Sequence, residues 1–188
     1  MNKTVSCLLL VLFGLLTEFS NSQRQIIENE KGQIDGYSYE FWKDSGDTEM
    51  VLLGNGTFSC SWKNINNALF RIGKKLECNK LWYEYESITV NYDVDFRQNG
   101  NTFISIHGWF KNPLFEFYIV ENWGSWKPPG KYSIGTIYID DGQYDVYNTD
   151  VFNQPTFEGY NTNFKQYWFV RTNKRSKGTI SLHLHFFL

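Results

Sequence analysis

Residues 112–129 read NPLFEFYIVENWGSWKPP, and this stretch decides how the rest of the chain is read. From Leu114 to Val120 the side chains alternate between two faces of a strand. Phe115, Phe117 and Ile119 fall on one face, Glu116 and Tyr118 on the other. The stretch sets one carboxylate, Glu116, among Phe115, Phe117, Tyr118, Trp123 and Trp126. A charge placed among aromatics on a strand costs free energy unless something uses it.

Two other stretches repeat the pattern. Over 102–109, Ile104 and Ile106 point one way while Phe103, Ser105, His107 and Trp109 point the other. Over 164–171, Phe164, Gln166 and Trp168 oppose Tyr167 and Phe169. One face of each strand is apolar core. The other mixes aromatics with single polar groups, which predicts an aromatic-lined cleft on a sheet.

Period-2 runs predict further strands over 37–42, 57–62, 88–92, 133–139, 144–147 and 179–185. Turn signals lie between the runs at Gln98-Asn99-Gly100-Asn101 and Asp140-Asp141-Gly142. No helix-period segment of more than a few turns stands out. Many short strands and little helix predict an all-β sandwich. Residues 23–35 are polar and read as an N-terminal tail.

The 188 residues suffice for one domain and are too few for two ordinary ones. Aromatic content is 19%, with 7 Trp, 12 Tyr and 16 Phe, which suits both a β-sandwich core and a surface that binds sugar rings. A net charge of −2 gives no electrostatic case for nucleic acid or an anionic membrane. Residues 1–22 read as a secretory signal. Lys3 precedes an apolar run over 5–16 that is short for a bilayer, and small residues at Ser20, Asn21 and Ser22 precede a cleavage point. A secreted protein is expected. Cys7 leaves with the signal, and Cys60 and Cys78 are then either a disulfide or two buried thiols. Asn55-Gly56-Thr57 is an N-glycosylation sequon.

The motifs in order are DGYSYEFWKDSG from Asp35, GNGTFSCSWKNINNALFRIGKK from Gly54, and HGWFKNPLFEFYIVENWGSWKPPG from His107. GTIYIDDGQYDVY from Gly135, NQPTFEG from Asn153 and QYWFVRTNKRSKGTIS from Gln166 follow. With these blocks the chain resembles the family 11 glycoside hydrolases, the jelly-roll endo-1,4-β-xylanases. The resemblance implies a jelly-roll β-sandwich of two twisted antiparallel sheets with a concave cleft, spanning residues 36–188. It implies mid-chain cleavage of xylan with retention of configuration, by a monomer that needs no metal or other cofactor. Retention uses two carboxyl groups about 5–5.5 Å apart, one as nucleophile and one as acid/base. Glu116 falls on the nucleophile position. Trp42, Trp109, Tyr118, Pro155, Phe164 and Gln166 fall on cleft positions that contact substrate, with Pro155 in a mobile thumb hairpin.

The sequence also departs from the family pattern. His107 stands in place of a tyrosine that hydrogen-bonds the nucleophile, and is expected to pair with Glu116 and make the site pH-sensitive. Phe103 replaces a cleft tyrosine, and Val151 replaces an arginine near the thumb. After GTISLHLHFFL no EGY-type acid/base motif follows, so the family's helix, last strands and second glutamate are expected to be absent from this chain. A catalytically impaired, xylan-binding sandwich is the alternative expectation. Glu40 shares a strand face with Trp42, whereas Glu121 has the wrong parity to stand beside Glu116. His183 and His185 share a face but lack a third metal ligand.

Overall fold

The computed structural model describes residues 23–76, 88–98, 100–111 and 113–182. They form thirteen strands, and every regular element among them is a strand. Among the described residues no helix is long and apolar enough to cross a membrane. The chain divides into two compact units, the first ending at Leu76.

The first unit holds β1 (Arg24–Ile26), β2 (Glu30–Ile34), β3 (Tyr37–Lys43), β4 (Asp47–Gly54), β5 (Thr57–Lys63) and β6 (Ala68–Gly73). These pair as two three-stranded antiparallel sheets, β1-β4-β5 and β2-β3-β6. Alternation explains the core. Tyr39 and Phe41 of β3, Met50 and Leu52 of β4 and Ile26 of β1 all turn inward and form one buried cluster. Asn55 and Gly56 make the tight turn from β4 to β5, both with positive φ (51° and 75°). Asn-Gly is the pair that such a turn favours. Cys60 on β5 is a free thiol whose pKa burial pushes up to about 11. Cys78 lies outside the described residues.

One expectation is corrected here. Residues 23–35 are not a tail. They form β1 and β2, because Ile26 has a core to enter and the polar residues find partners. Arg24 pairs with Glu30 at 2.7 Å, and the Tyr39 hydroxyl bonds the same carboxylate. Strands are therefore present before residue 36.

The second unit holds β7 (Ile88–Asp93), β8 (Phe103–Lys111), β9 (Leu114–Trp123), β10 (Gly135–Ile139), β11 (Gly142–Thr156), β12 (Gly159–Arg171) and β13 (Lys177–Leu182). Five of them form a sheet in the order β10-β11-β12-β9-β8, and β13-β7 is a separate ribbon. One pair breaks the antiparallel expectation: β12 runs parallel to β9. Phe115, Phe117 and Ile119 of β9, Tyr144 of β11 and Phe169 of β12 pack in one core with Ile180 and Leu182 of β13. The predicted core faces of the three key strands are thus the observed ones. Gly108 of β8 lies opposite Phe117 in register, and a Cβ at 108 would run into the Phe117 ring. That glycine lets β8 and β9 approach with the large ring between them.

Candidate active site

Strand register assembles the site on the face opposite this core. Glu116 of β9 is flanked by Trp109 on β8 and Gln166 on β12, and Tyr118 is flanked by His107 and Trp168. Cross-strand neighbours share a face, so these six side chains point the same way. Glu116 is 7% exposed, yet both carboxylate oxygens are bonded. His107 Nε2 lies 2.7 Å from Oε1, and the Tyr118 hydroxyl donates to Oε1 at 2.9 Å. Gln166 Nε2 donates to Oε2 at 2.7 Å. A carboxylate only accepts, so His107 Nε2 carries a proton whether or not the ring is charged.

Burial works to raise the Glu116 pKa. Hydrogen bonds from His107 and Gln166, the charge His107 bears when protonated, and the Tyr118 hydroxyl outweigh it. The carboxyl is therefore held below its ordinary value and is ionised at neutral pH. Oε1 accepts two hydrogen bonds and Oε2 one, which leaves Oε2 the freer oxygen.

Aromatic rings surround the carboxylate. Tyr118 stacks on Trp168 at 4.1 Å and 10°, and on His107 at 4.6 Å and 29°. Phe103 meets the Tyr118 and Trp168 rings edge-on, at 6.3 Å and 5.7 Å. Phe164 is 9% exposed and presses edge-on against Trp109 at 4.8 Å, so it braces Trp109 and offers little free face of its own. Val151 of β11 lies opposite Phe164. β11 and β12 continue as a hairpin whose turn is Phe157-Glu158, and Pro155 is exposed beside it. The Phe157 ring reaches Trp109 at 5.8 Å.

The structure thus brings Glu116, His107, Trp109, Tyr118, Phe164 and Gln166 together, and puts Pro155 on the neighbouring hairpin. Trp42 belongs to the first unit. It is 40% exposed on the face of β3 opposite Tyr39 and Phe41. Glu40, on the same face of β3, is tied by Lys31 at 2.8 Å and by Arg71. Burial acts to raise its pKa, but the Lys31 hydrogen bond and the Arg71 charge win and lower it. An ionised, doubly paired carboxylate is a poor proton donor. Glu121 faces the core side of β9, as its parity requires. It bonds Arg175 Nε at 3.0 Å and the hydroxyls of Tyr92 and Tyr144. Asp145 is held by Lys127 at 2.6 Å. It sits four positions along β11 from Thr149, the residue opposite Gln166, or about 13 Å at strand rise. His183 and His185 lie outside the described residues, among which no metal-holding cluster of three or more ligands occurs.

Trp168 stands on the predicted cleft face but outside the predicted substrate contacts, and Phe157 stands outside those contacts too. Parity gave the signal for Trp168, since it shares a face with Gln166 two residues away. Phe157 carries no such signal, because a turn has no strand parity.

Residues 34–187 match the family model of glycosyl hydrolases family 11. Endo-1,4-beta-xylanase A of Thermoclostridium stercorarium is 52% identical over 163 residues, covering 87% of this chain and 25% of the relative. Endo-1,4-beta-xylanase A of Bacillus pumilus is 45% identical over 182 residues, covering 97% of this chain and 78% of the relative. The solved family 11 xylanase from Neocallimastix patriciarum superposes with a TM-score of 0.70 at 31% identity, over 87% of this chain and 82% of that one. The chain spans about a quarter of the length of the first of these relatives. With a family match across most of its length and the β-sheet fold of the solved neighbours, this chain belongs to glycosyl hydrolases family 11.

Proposed function

We propose that this protein is a secreted endo-acting hydrolase of β-1,4-xylosidic bonds in xylan, working by retention, with Glu116 as nucleophile. The observation that carries the reading is the Glu116 carboxylate, buried among aromatic rings yet held ionised by three hydrogen bonds. A nucleophile must be unprotonated, and a low pKa keeps it so. The count of hydrogen bonds favours Oε2 as the attacking oxygen. Trp109 offers a ring on which a sugar can stack, Tyr118, stacked between Trp168 and His107, offers its hydroxyl, and Pro155 and Phe157 border the cleft from the hairpin. In the first unit, taken by itself, the exposed Trp42 ring is a further surface on which a sugar can stack. Xylan as substrate rests on the named activities of the relatives. Secretion rests on the leader-like pattern of residues 1–22.

Retention also needs a carboxyl group across the bond from the nucleophile. Glu121, Glu40 and Asp145 are each committed to cations, and Glu121 faces the wrong side of β9. Among the described residues, these commitments favour a second reading, in which the chain binds xylan and is impaired as a catalyst. General acid catalysis contributes about 10²–10⁴-fold, and an aryl xyloside with a good leaving group needs less of it. The expected result is aryl alcohol release with a first-formed product of retained configuration by proton NMR, and far slower release from xylan. No release from the aryl xyloside, or equal release by a Glu116→Ala variant, would refute the catalytic reading. Retention on insoluble xylan without any turnover would establish the second.

A further inference from the structure

An amide held between two groups of fixed polarity has one favourable orientation. Gln166 is such an amide. Trp168 Nε1 lies 2.7 Å from Gln166 Oε1, and Gln166 Nε2 lies 2.7 Å from Glu116 Oε2. An indole N–H only donates and a carboxylate only accepts. Flipping the amide would set two donors face to face at Trp168 and two acceptors face to face at Glu116, with both ends part-buried.

Resting on the reading of Glu116 as nucleophile, we infer that Trp168 is a positioning residue, whose indole N–H locks the Gln166 amide so that it always donates to Glu116 Oε2. The indole is itself held in place. It stacks on Tyr118 at 4.1 Å and meets Phe103 edge-on at 5.7 Å. Tyr118 in turn donates to Oε1. Trp168 therefore supports both carboxylate oxygens, one through an amide and the other through a ring. Among the described residues, the groups bonded to Glu116 are His107 from β8, Tyr118 from β9 and the neutral Gln166 from β12. β11 presents Thr149 and Val151 on the same face, neither of which titrates.

The test uses the intact chain, labelled for NMR. In the unaltered protein the Trp168 indole proton and the Gln166 amide protons should titrate with the same midpoint as the Glu116 carboxyl carbon. Trp168→Phe keeps an aromatic ring against Tyr118 but removes the donor. It should move the Glu116 midpoint upward, and the acid limb of kcat/KM on an aryl xyloside should move with it. The fall in kcat should be roughly tenfold at most, the worth of one hydrogen bond, with KM little changed. In a Gln166→Leu background the same exchange should leave the midpoint where Gln166→Leu alone put it. An indole signal that stays flat through the Glu116 titration would overturn the proposal without any variant. So would an unchanged midpoint in Trp168→Phe, or shifts that add in the double variant. A coupled titration in a chain that never turns over would support the relay and overturn the nucleophile assignment instead.

Discussion

Glu116 and Glu121 stand on the same strand, both buried, and face opposite sides of it. Their surroundings differ in kind. Glu121, 2% exposed, is bound by the guanidinium of Arg175 and two tyrosine hydroxyls, with Arg171 at 3.8 Å. Burial, with help from Glu121 itself, pushes the pKa of Tyr92 and Tyr144 upward, so both stay protonated donors. Arg175 goes on to Asp141 at 2.7 Å, extending the network to the surface. Among the described residues, Glu116 is bonded by no lysine or arginine. Its donors are an amide, a phenol and an imidazole. A carboxylate neutralised by arginine is held firmly and is a poor nucleophile. One held by weaker donors stays ionised and keeps a lone pair for chemistry. Burial alone does not separate structural from reactive carboxylates, whereas the identity of the donors does.

The contrast predicts separate consequences for the two residues. Glu116→Ala should abolish turnover of an aryl xyloside, on the order of 10⁴-fold or more, and leave the folded circular dichroism spectrum in place. Glu121→Ala should do the opposite kind of damage. It removes the buried carboxylate shared by Arg175 and the hydroxyls of Tyr92 and Tyr144, and should cost about 3 kcal/mol, read as a fall in melting temperature. Should Glu121→Ala melt like the unaltered chain, the structural role given to that network is wrong.

Smaller effects refine the picture. Gly108→Ala forces a methyl group into the Phe117 ring, and should destabilise by about 1–3 kcal/mol in urea unfolding. Because Phe117 adjoins Glu116 on β9, activity should fall with it. A stable, fully active Gly108→Ala would mean that β8 and β9 have slack that the packing does not suggest. His107→Tyr keeps a donor beside Glu116 but removes a charge that lowers its pKa, so the acid limb of the pH profile should move up. An unmoved limb would show that His107 contributes only its hydrogen bond.

Stability should follow the same sign. The Glu116 pKa is lower folded than its ordinary 4.5, so its contribution is complete above that value and disappears as pH falls through the folded value. The melting-temperature difference between the unaltered chain and Glu116→Gln should drift in that direction on acidification, against the unaltered chain.

Much of this contrast is already written in the sequence of β9. Alternation placed Phe115, Phe117 and Ile119 in the core and Glu116 with Tyr118 on the other side, because one slip of register would bury the charge in the wrong layer. The same logic placed Ile106 and Phe169 in the core and Phe103, His107, Gln166 and Trp168 in the site. β1 and β2 escaped this reading, since short polar strands owe their existence to partners elsewhere in the chain. β4 carries its own alternation, with Thr48, Met50 and Leu52 buried and their neighbours part-exposed. β11 runs on through Pro155 because its pairing with β12 shifts register on either side of Gln154, and Pro155 falls within the second shift, where no ladder partner is required of it. The parallel pairing of β9 with β12 leaves no local mark at all, and it alone brings Gln166 to Glu116.

Covalent trapping bears most directly on the identity of Glu116. A 2-fluoro xylobioside with a good leaving group slows release of the glycosyl-enzyme more than its formation, so the adduct accumulates, and its formation makes little demand on an acid. Intact-protein mass spectrometry should show one added fluoroxylobiosyl group, and peptide mapping should place it on Glu116. An adduct on any other residue, or a chain that stays unlabelled while folded and binding xylan, would contradict the assignment.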